Sequence, residues 1–497
     1  MLRVNSTGTL NDCTSGCNQK FLVHLRRPIY FDESKGFGFD WFRAEYEQPL
    51  TKLLAYSPMI EPIYLGRIRD LKEMYYCEGV PRISPYGKEY IPSIISMFSD
   101  IDEDASEYIK NKQANGLTLD VEVYEIDAEL FSDATRIEFM SENEFVQIQP
   151  SFIDLNSFIC NGKAKDFIRD PKVQISRKNE KFYRKENAIN IKIIGGYIEN
   201  FEEIKIIAHF SDGSTQQVGQ SVIYPNNVYR AIRIQPVKFQ VHKVFNLPQK
   251  YKEAIQSVMA QALIVPIFEE EETFSIDTNI FEQYDFKVRY LRAKNEQYIA
   301  KETVSEATNY LYKMRDDILN IYGTYSPNVE NHVDDNHNQI TYLIFIDLKC
   351  GSYALDREKE IVEKRRDKGL EIKVGEIYSG FGAGGVASHN STTGWGNATI
   401  IYDFFIERPN DALNTANHEL AHSLGLSHIF EANSSEAQFY QATTDNLMDY
   451  SSVTDENYES HQNPFSGDET DKELIVENVL NKFQWEIMCE DQSIIMD

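Results

Sequence analysis

The chain has 497 residues, 42% of them hydrophobic and 12% aromatic, which describes a folded protein too long for one core. Its 78 acidic against 50 basic residues give a net charge of −28, which disfavours nucleic acid and anionic membrane as partners. The longest apolar runs fall far short of a bilayer, so no membrane span is expected. Residues 1–20 are small and polar and read as a flexible tail. A secretory apolar segment is lacking at this end, where the first apolar run is only Phe21-Leu22-Val23. That leaves a cytoplasmic protein, one that leaves the cell by a signal-independent route, or one that has lost a leader. Six cysteines are few and scattered, and only Cys13 and Cys17 are close, which argues against a disulfide scaffold.

From Phe21 the pattern is β-rich. Phe21–Leu25, Ile29–Phe31 and Phe37–Phe42 read as strands punctuated by Pro28, Gly36 and Gly38. The acidic loop Asp100–Asp104 could hold calcium, but it lacks the glycine and spacing of an EF-hand, and a solvated loop explains it as well. Leu117–Ile126 alternates as a half-buried strand, with Thr118, Asp120 and Glu122 on the polar side. Strands follow at Arg136–Met140, Lys172–Ile175, Ile189–Ile194, Glu203–Phe210, Gln217–Ile223 and Tyr229–Val244. This spacing predicts two sandwich-like modules, residues 21–150 and an immunoglobulin-like module at 151–247.

Near Pro248 the periodicity changes, and residues 248–497 read as an α+β domain. Tyr251–Leu263 reads as a helix or linker, Phe286–Ala293 as a strand and Glu302–Tyr322 as a long amphipathic helix. Ile340–Leu348, Glu371–Tyr378 and Ala398–Phe405 read as further strands. Small residues in Gly384-Gly385-Val386-Ala387-Ser388-His389 suit an edge strand that pairs with an extended peptide. His389 there reads as a surface histidine beside the cleft. Ser451–Glu469 is a polar stretch without period, and Asp471–Met488 reads as a closing helix.

The stretch that carries chemistry is His418-Glu419-Leu420-Ala421-His422-Ser423-Leu424-Gly425-Leu426-Ser427-His428. On a helix from about Asp411 to Leu424, His418 and His422 lie one turn apart and can share a metal ion. Leu413, Ala416, Leu420 and Leu424 form an apolar stripe on the opposite side, so the histidines are not simply part of a buried face. Gly425 permits a left-handed residue that ends the helix, and His428 can then return to the same metal. Three imidazoles with an open fourth position describe a catalytic zinc site with one Zn2+ per chain. Glu419 is placed to hold and deprotonate a water whose pKa zinc lowers from about 15.7 toward about 7.

Downstream, Thr444-Asp445-Asn446-Leu447-Met448-Asp449-Tyr450 resembles the Met-turn of metzincin peptidases, and with the eleven-residue motif it makes residues 248–497 look like a metzincin zinc endopeptidase. The resemblance implies His418, His422 and His428 as metal ligands, Glu419 as general base, and Met448 as a hydrophobic floor. It implies for Tyr450 the metal-proximal tyrosine of astacin-like and serralysin-like members, a ligand of the resting metal or an oxyanion donor. A structural hydroxyl in the turn is the alternative for Tyr450. Cys13 or Cys17 could hold such an enzyme latent, though the flanking motif is absent. Gly36–Arg43 and Tyr224-Pro225-Asn226-Asn227 loosely resemble N-terminal modules of signal-less bacterial effectors. That resemblance implies a secreted effector that engages a secretion apparatus, with a protein or peptide as substrate. The rival class is a β-module binding or adhesion protein on an inactive peptidase scaffold; retention of Glu419 speaks against it.

Overall fold

A computed structural model describes residues 20–28, 37–47, 63–99, 114–126, 135–160, 182–241, 243–277, 304–329, 339–348, 384–389, 396–402, 409–431, 437–441, 443–444, 446–450 and 479–496, with isolated short segments elsewhere. The expected strands Ile29–Phe31, Lys172–Ile175, Phe286–Ala293 and Glu371–Tyr378 lie outside the described residues. So do the Asp100–Asp104 loop, Cys13 and Cys17, and most of Ser451–Glu469. The chain is multidomain and β-rich, dividing into Met1–Asn227 and Val228–Asp497. Among the described residues no helix is long and apolar enough to cross a membrane.

Among the described residues, the first unit has ten main strands: β1 Phe21–Arg26, β2 Gly38–Asp40, β3 Ser93–Ser96, β4 Leu117–Glu125, β5 Arg136–Met140, β6 Val146–Gln149, β7 Phe152–Asp154, β8 Phe182–Ile193, β9 Glu202–His209 and β10 Thr215–Ile223. They form a four-stranded sheet, β1-β4-β8-β6, and a six-stranded sheet, β2-β3-β10-β9-β5-β7. One core joins them, with Phe21, Val23, Leu119, Val121 and Ile191 from the first sheet and Phe139, Ile204, Ile206 and Val218 from the second. Both sheets take strands from either side of residue 150, so the expected boundary there does not follow the fold. Hydrophobic alternation shows that each strand has a buried face, but it cannot show which partner covers it.

The polar side of β4 also departs from expectation. Asp120 and Glu122 are buried, not solvated. The Arg184 guanidinium lies 2.6 Å from Asp120 and 3.1 Å from Glu122, and Arg26 lies 3.1 Å from Glu122. Buried carboxylates persist because cations from neighbouring strands compensate them.

The second unit begins with β11, Arg230–Gln240, which the sequence had placed in the immunoglobulin-like module. It continues with α1 Tyr251–Gln261, β12 Ile264–Phe268, β13 Glu272–Ser275, α2 Val304–Tyr325 and β14 Ile340–Ile346. Then come β15 Gly385–Ser388, β16 Ala398–Tyr402, α3 Pro409–Ser423, α4 Lys482–Cys489 and β17 Ile494–Met496. The sheet order is β12-β11-β14-β16-β15, with β13 and β17 also on β11. β11, β12, β13, β14 and β16 run parallel, while β15 is an antiparallel edge. Parallel neighbours need long crossovers, which explains why helices separate these strands.

Alternate residues of the sheet face different helices. Phe239, Tyr342, Ile344 and Ile400 pack with Met314, Ile318 and Tyr322 of α2. Gly385 lies against Thr415 and Glu419 of α3, and Phe345 meets Tyr251 of α1 with ring centroids 5.9 Å apart. Parallel strands buried on both faces read as continuous apolar runs, as Ile340–Ile346 does. Of the closing helix expected over Asp471–Met488, residues 471–478 lie outside the described residues, and the described helix is α4. It starts after Asn481, whose N–H is accepted at 2.8 Å by the Gln484 side-chain oxygen.

Candidate metal centre

α3 presents the site and hides its opposite face. Ala412, Ala416, Leu420 and Leu424 are buried, so the apolar stripe is as expected except that Ala412 replaces the half-buried Leu413. The helix ends in a Schellman pattern: Gly425 N–H bonds the His422 carbonyl at 3.0 Å and Leu426 N–H bonds the Ala421 carbonyl at 3.1 Å. Gly425 has φ of +91°, a conformation that a side chain would strain. This reversal carries the chain to His428.

The three imidazoles converge. His418 Nε2 lies 3.2 Å from His428 Nε2, and His422 Nε2 lies 3.1 Å from the same atom. Each ring is held from behind at Nδ1 by an acceptor: the Leu447 carbonyl at 2.7 Å for His418, the Leu426 carbonyl at 2.6 Å for His422, and Glu431 Oε1 at 2.6 Å for His428. Those partners take an Nδ1–H from every ring, so each ring in its neutral form turns a bare Nε2 lone pair toward the other two. Lone pairs so close repel unless a cation lies between them. Two nitrogens at the tetrahedral angle on zinc bonds of about 2.0–2.1 Å stand about 3.3 Å apart, close to the separations found. The donor set therefore fits a divalent metal of the zinc type. Burial, then the neighbouring His422 and His428, holds His418 well below the usual imidazole pKa. Burial and then His428 bring His422 down to about 4. Both rings are accordingly neutral near pH 7, as ligands must be.

Glu419 turns toward β15. Burial pushes its carboxyl up to about 8, partly offset by the Ala387 N–H that donates to it. The carbonyl of Ala387 accepts Arg315 Nη1 of α2 at 3.0 Å. Both hydrogen-bonding groups of Ala387 are thus held by side chains from two helices. The edge strand is where it was expected, but at this residue its pairing groups are already engaged. His389 lies 3.0 Å from the buried Asp491, which also accepts the Asn397 amide at 2.8 Å.

The turn after the motif is tied directly to the ligands. Met448 is fully buried, its N–H accepted by Asn446 Oδ1 at 2.9 Å and its carbonyl bonded by Ile429 N–H at 3.3 Å. Leu447 uses its carbonyl for His418 and its N–H for the Val479 carbonyl at 2.9 Å. Asp449 Oδ2 collects the Thr443 and Thr444 N–H groups at 3.0 and 2.9 Å and the Thr444 hydroxyl at 2.8 Å. Tyr450 stands beside the rings, 4.8 Å from His428 and 4.9 Å from Phe430 between centroids. Although 41% exposed as a residue, Tyr450 has its hydroxyl pushed up to about 12, first by burial of that end and then by Glu419 and Glu431.

All the expected site residues, His418, Glu419, His422, His428, Met448 and Tyr450, are therefore brought to one region. Sequence reading assigned no role at this site to Glu431, Asp449 or Arg315, and it assigned Gly385 to the edge strand alone. The first had a readable signal, since a carboxylate three residues past His428 can reach back over one turn.

No family model and no curated protein matches the chain. Among solved structures, a polysaccharide deacetylase from Bacillus cereus is similar at 6% identity and a TM-score of 0.10, over 46% of this chain and 56% of that one. The chain thus spans little more than half of that protein's length, and a likeness this weak carries no argument about fold or function.

Proposed function

We propose that the unit Val228–Asp497 is a zinc-dependent endopeptidase of metzincin type. The observation that supports a metal centre is the convergence of three Nε2 atoms, each with its Nδ1 fixed by an acceptor, next to Glu419; the metzincin type rests on the sequence motif and the turn that follows it. A zinc ion held by His418, His422 and His428 supplies Lewis acidity and makes water a nucleophile near neutral pH.

The chain's own groups do the rest. Glu419 takes a proton from the attacking water and returns it to the amine nitrogen as the C–N bond breaks. Tyr450 keeps its proton at neutral pH and donates a hydrogen bond to the oxygen on which charge develops. Such a donor is worth about 2.7–4 kcal/mol in the transition state.

The test is metal content and cleavage measured together. The purified chain should hold one zinc, and His418→Ala, His422→Ala or His428→Ala should each release it and abolish cleavage of a peptide library. Full zinc occupancy after His428→Ala would overturn the assignment of the site.

A further inference from the structure

The three ligand rings are not anchored alike. His418 and His422 project from one helix and donate to backbone carbonyls of buried residues, Leu447 and Leu426. His428 lies beyond the helix, on a turn closed by Glu431 N–H on the His428 carbonyl at 3.1 Å. Its ring is oriented by side chains instead. Phe430 stacks on it with centroids 4.8 Å apart and planes at 14°, Tyr450 meets it edge-on, and Glu431 accepts its Nδ1–H at 2.6 Å. Among the described residues, Glu431 is the group that brings a negative charge to a ligand ring nitrogen.

We infer that Glu431 is a positioning residue that fixes the His428 ring and sets how tightly the centre holds its ion. This rests on the zinc reading of the site. Imidazole ligands bring no net charge to set against a doubly charged ion. A carboxylate on the far nitrogen makes Nε2 a stronger donor and holds the ring in its metal-facing tautomer. Backbone carbonyls can select the tautomer at His418 and His422 but carry no net charge. The Glu431 side chain is 47% exposed, so replacing it opens no cavity in a core. Its substitution should therefore act on metal binding and not on folding.

The experiment uses the full chain, stripped of metal and titrated with zinc against a competing chromophoric chelator. Glu431→Gln keeps an acceptor oxygen and loses the charge; Glu431→Ala loses both. The glutamine variant should bind zinc about 10-fold more weakly and the alanine variant up to about 100-fold more weakly. The metal-free forms of both should melt with the native metal-free chain, and only the rise in Tm on adding zinc should shrink. A zinc Kd within twofold of native in both variants would overturn the inference while leaving the zinc site standing. A metal-free Tm that falls with Kd unchanged would make Glu431 merely structural. If the native chain itself binds no zinc, the reading of the site fails first.

Discussion

Gly385 and Glu419 are in a contact that no other residue at 385 would allow: a Cβ there would stand 2.6 Å from Glu419 Cγ and 3.0 Å from Thr415 Cγ2. The missing side chain lets α3 approach the edge strand closely enough for Glu419 to meet the Ala387 N–H. Sequence reading noticed small residues here and attributed them to the edge strand and its substrate. The structure adds that the glycine makes room for the proposed base.

Gly385→Ala should therefore move Glu419 without touching a ligand. We expect zinc content to stay at one per chain while kcat falls roughly 100-fold, the scale on which small misplacements of a reacting group act. Zinc analysis beside steady-state kinetics checks it, and native kcat in this variant would mean that the helix shifts at no cost to the site.

Asp449 gathers three donors of the turn on one buried oxygen, next to the residue whose neighbour supports His418. Asp449→Ala leaves those donors unsatisfied and should destabilise the second unit by on the order of 3 kcal/mol. Denaturant unfolding of the metal-free chain measures this directly. A loss below about 0.5 kcal/mol, the usual range for surface positions, would show that the turn does not depend on it.

Tyr450→Phe removes only the hydroxyl and keeps the ring against His428 and Phe430. If that hydroxyl acts on the developing oxyanion, kcat should fall about 100- to 1,000-fold with little change in KM. Equal kinetics would return Tyr450 to a structural role in the turn.

The convergence of the three histidines was legible because its geometry is local: helical spacing and one left-handed glycine decide where three imidazoles go. The domain limits were not, because they depend on pairing between distant strands. Arg230–Gln240 reads as one more strand after a β-rich run, and its own residues do not reveal that it pairs with Ile264–Phe268 and Ile340–Ile346 instead of the strands before it. Asp120 and Glu122 were misread for a related reason. Their cation, Arg184, comes from a strand more than 60 residues away, so alternation in β4 alone could not show that its polar face is buried.

That pairing moves the boundary of an independently folding fragment. Sequence reading placed the start near residue 248, which removes β11 from between its neighbours in the sheet. Residues 228–497 should be soluble and bind zinc on their own, whereas residues 248–497 should not fold. Circular dichroism and zinc analysis of the two fragments decide this; a folded, zinc-bound 248–497 fragment would show that β11 is dispensable.

The most direct test of the account is the rate of peptide cleavage by Glu419→Gln, measured beside the native chain with both carrying one zinc. The amide cannot take the water's proton, so the rate should fall by about 100- to 10,000-fold while zinc and fold are retained. Cleavage at the native rate by the zinc-loaded variant would contradict the account at its centre.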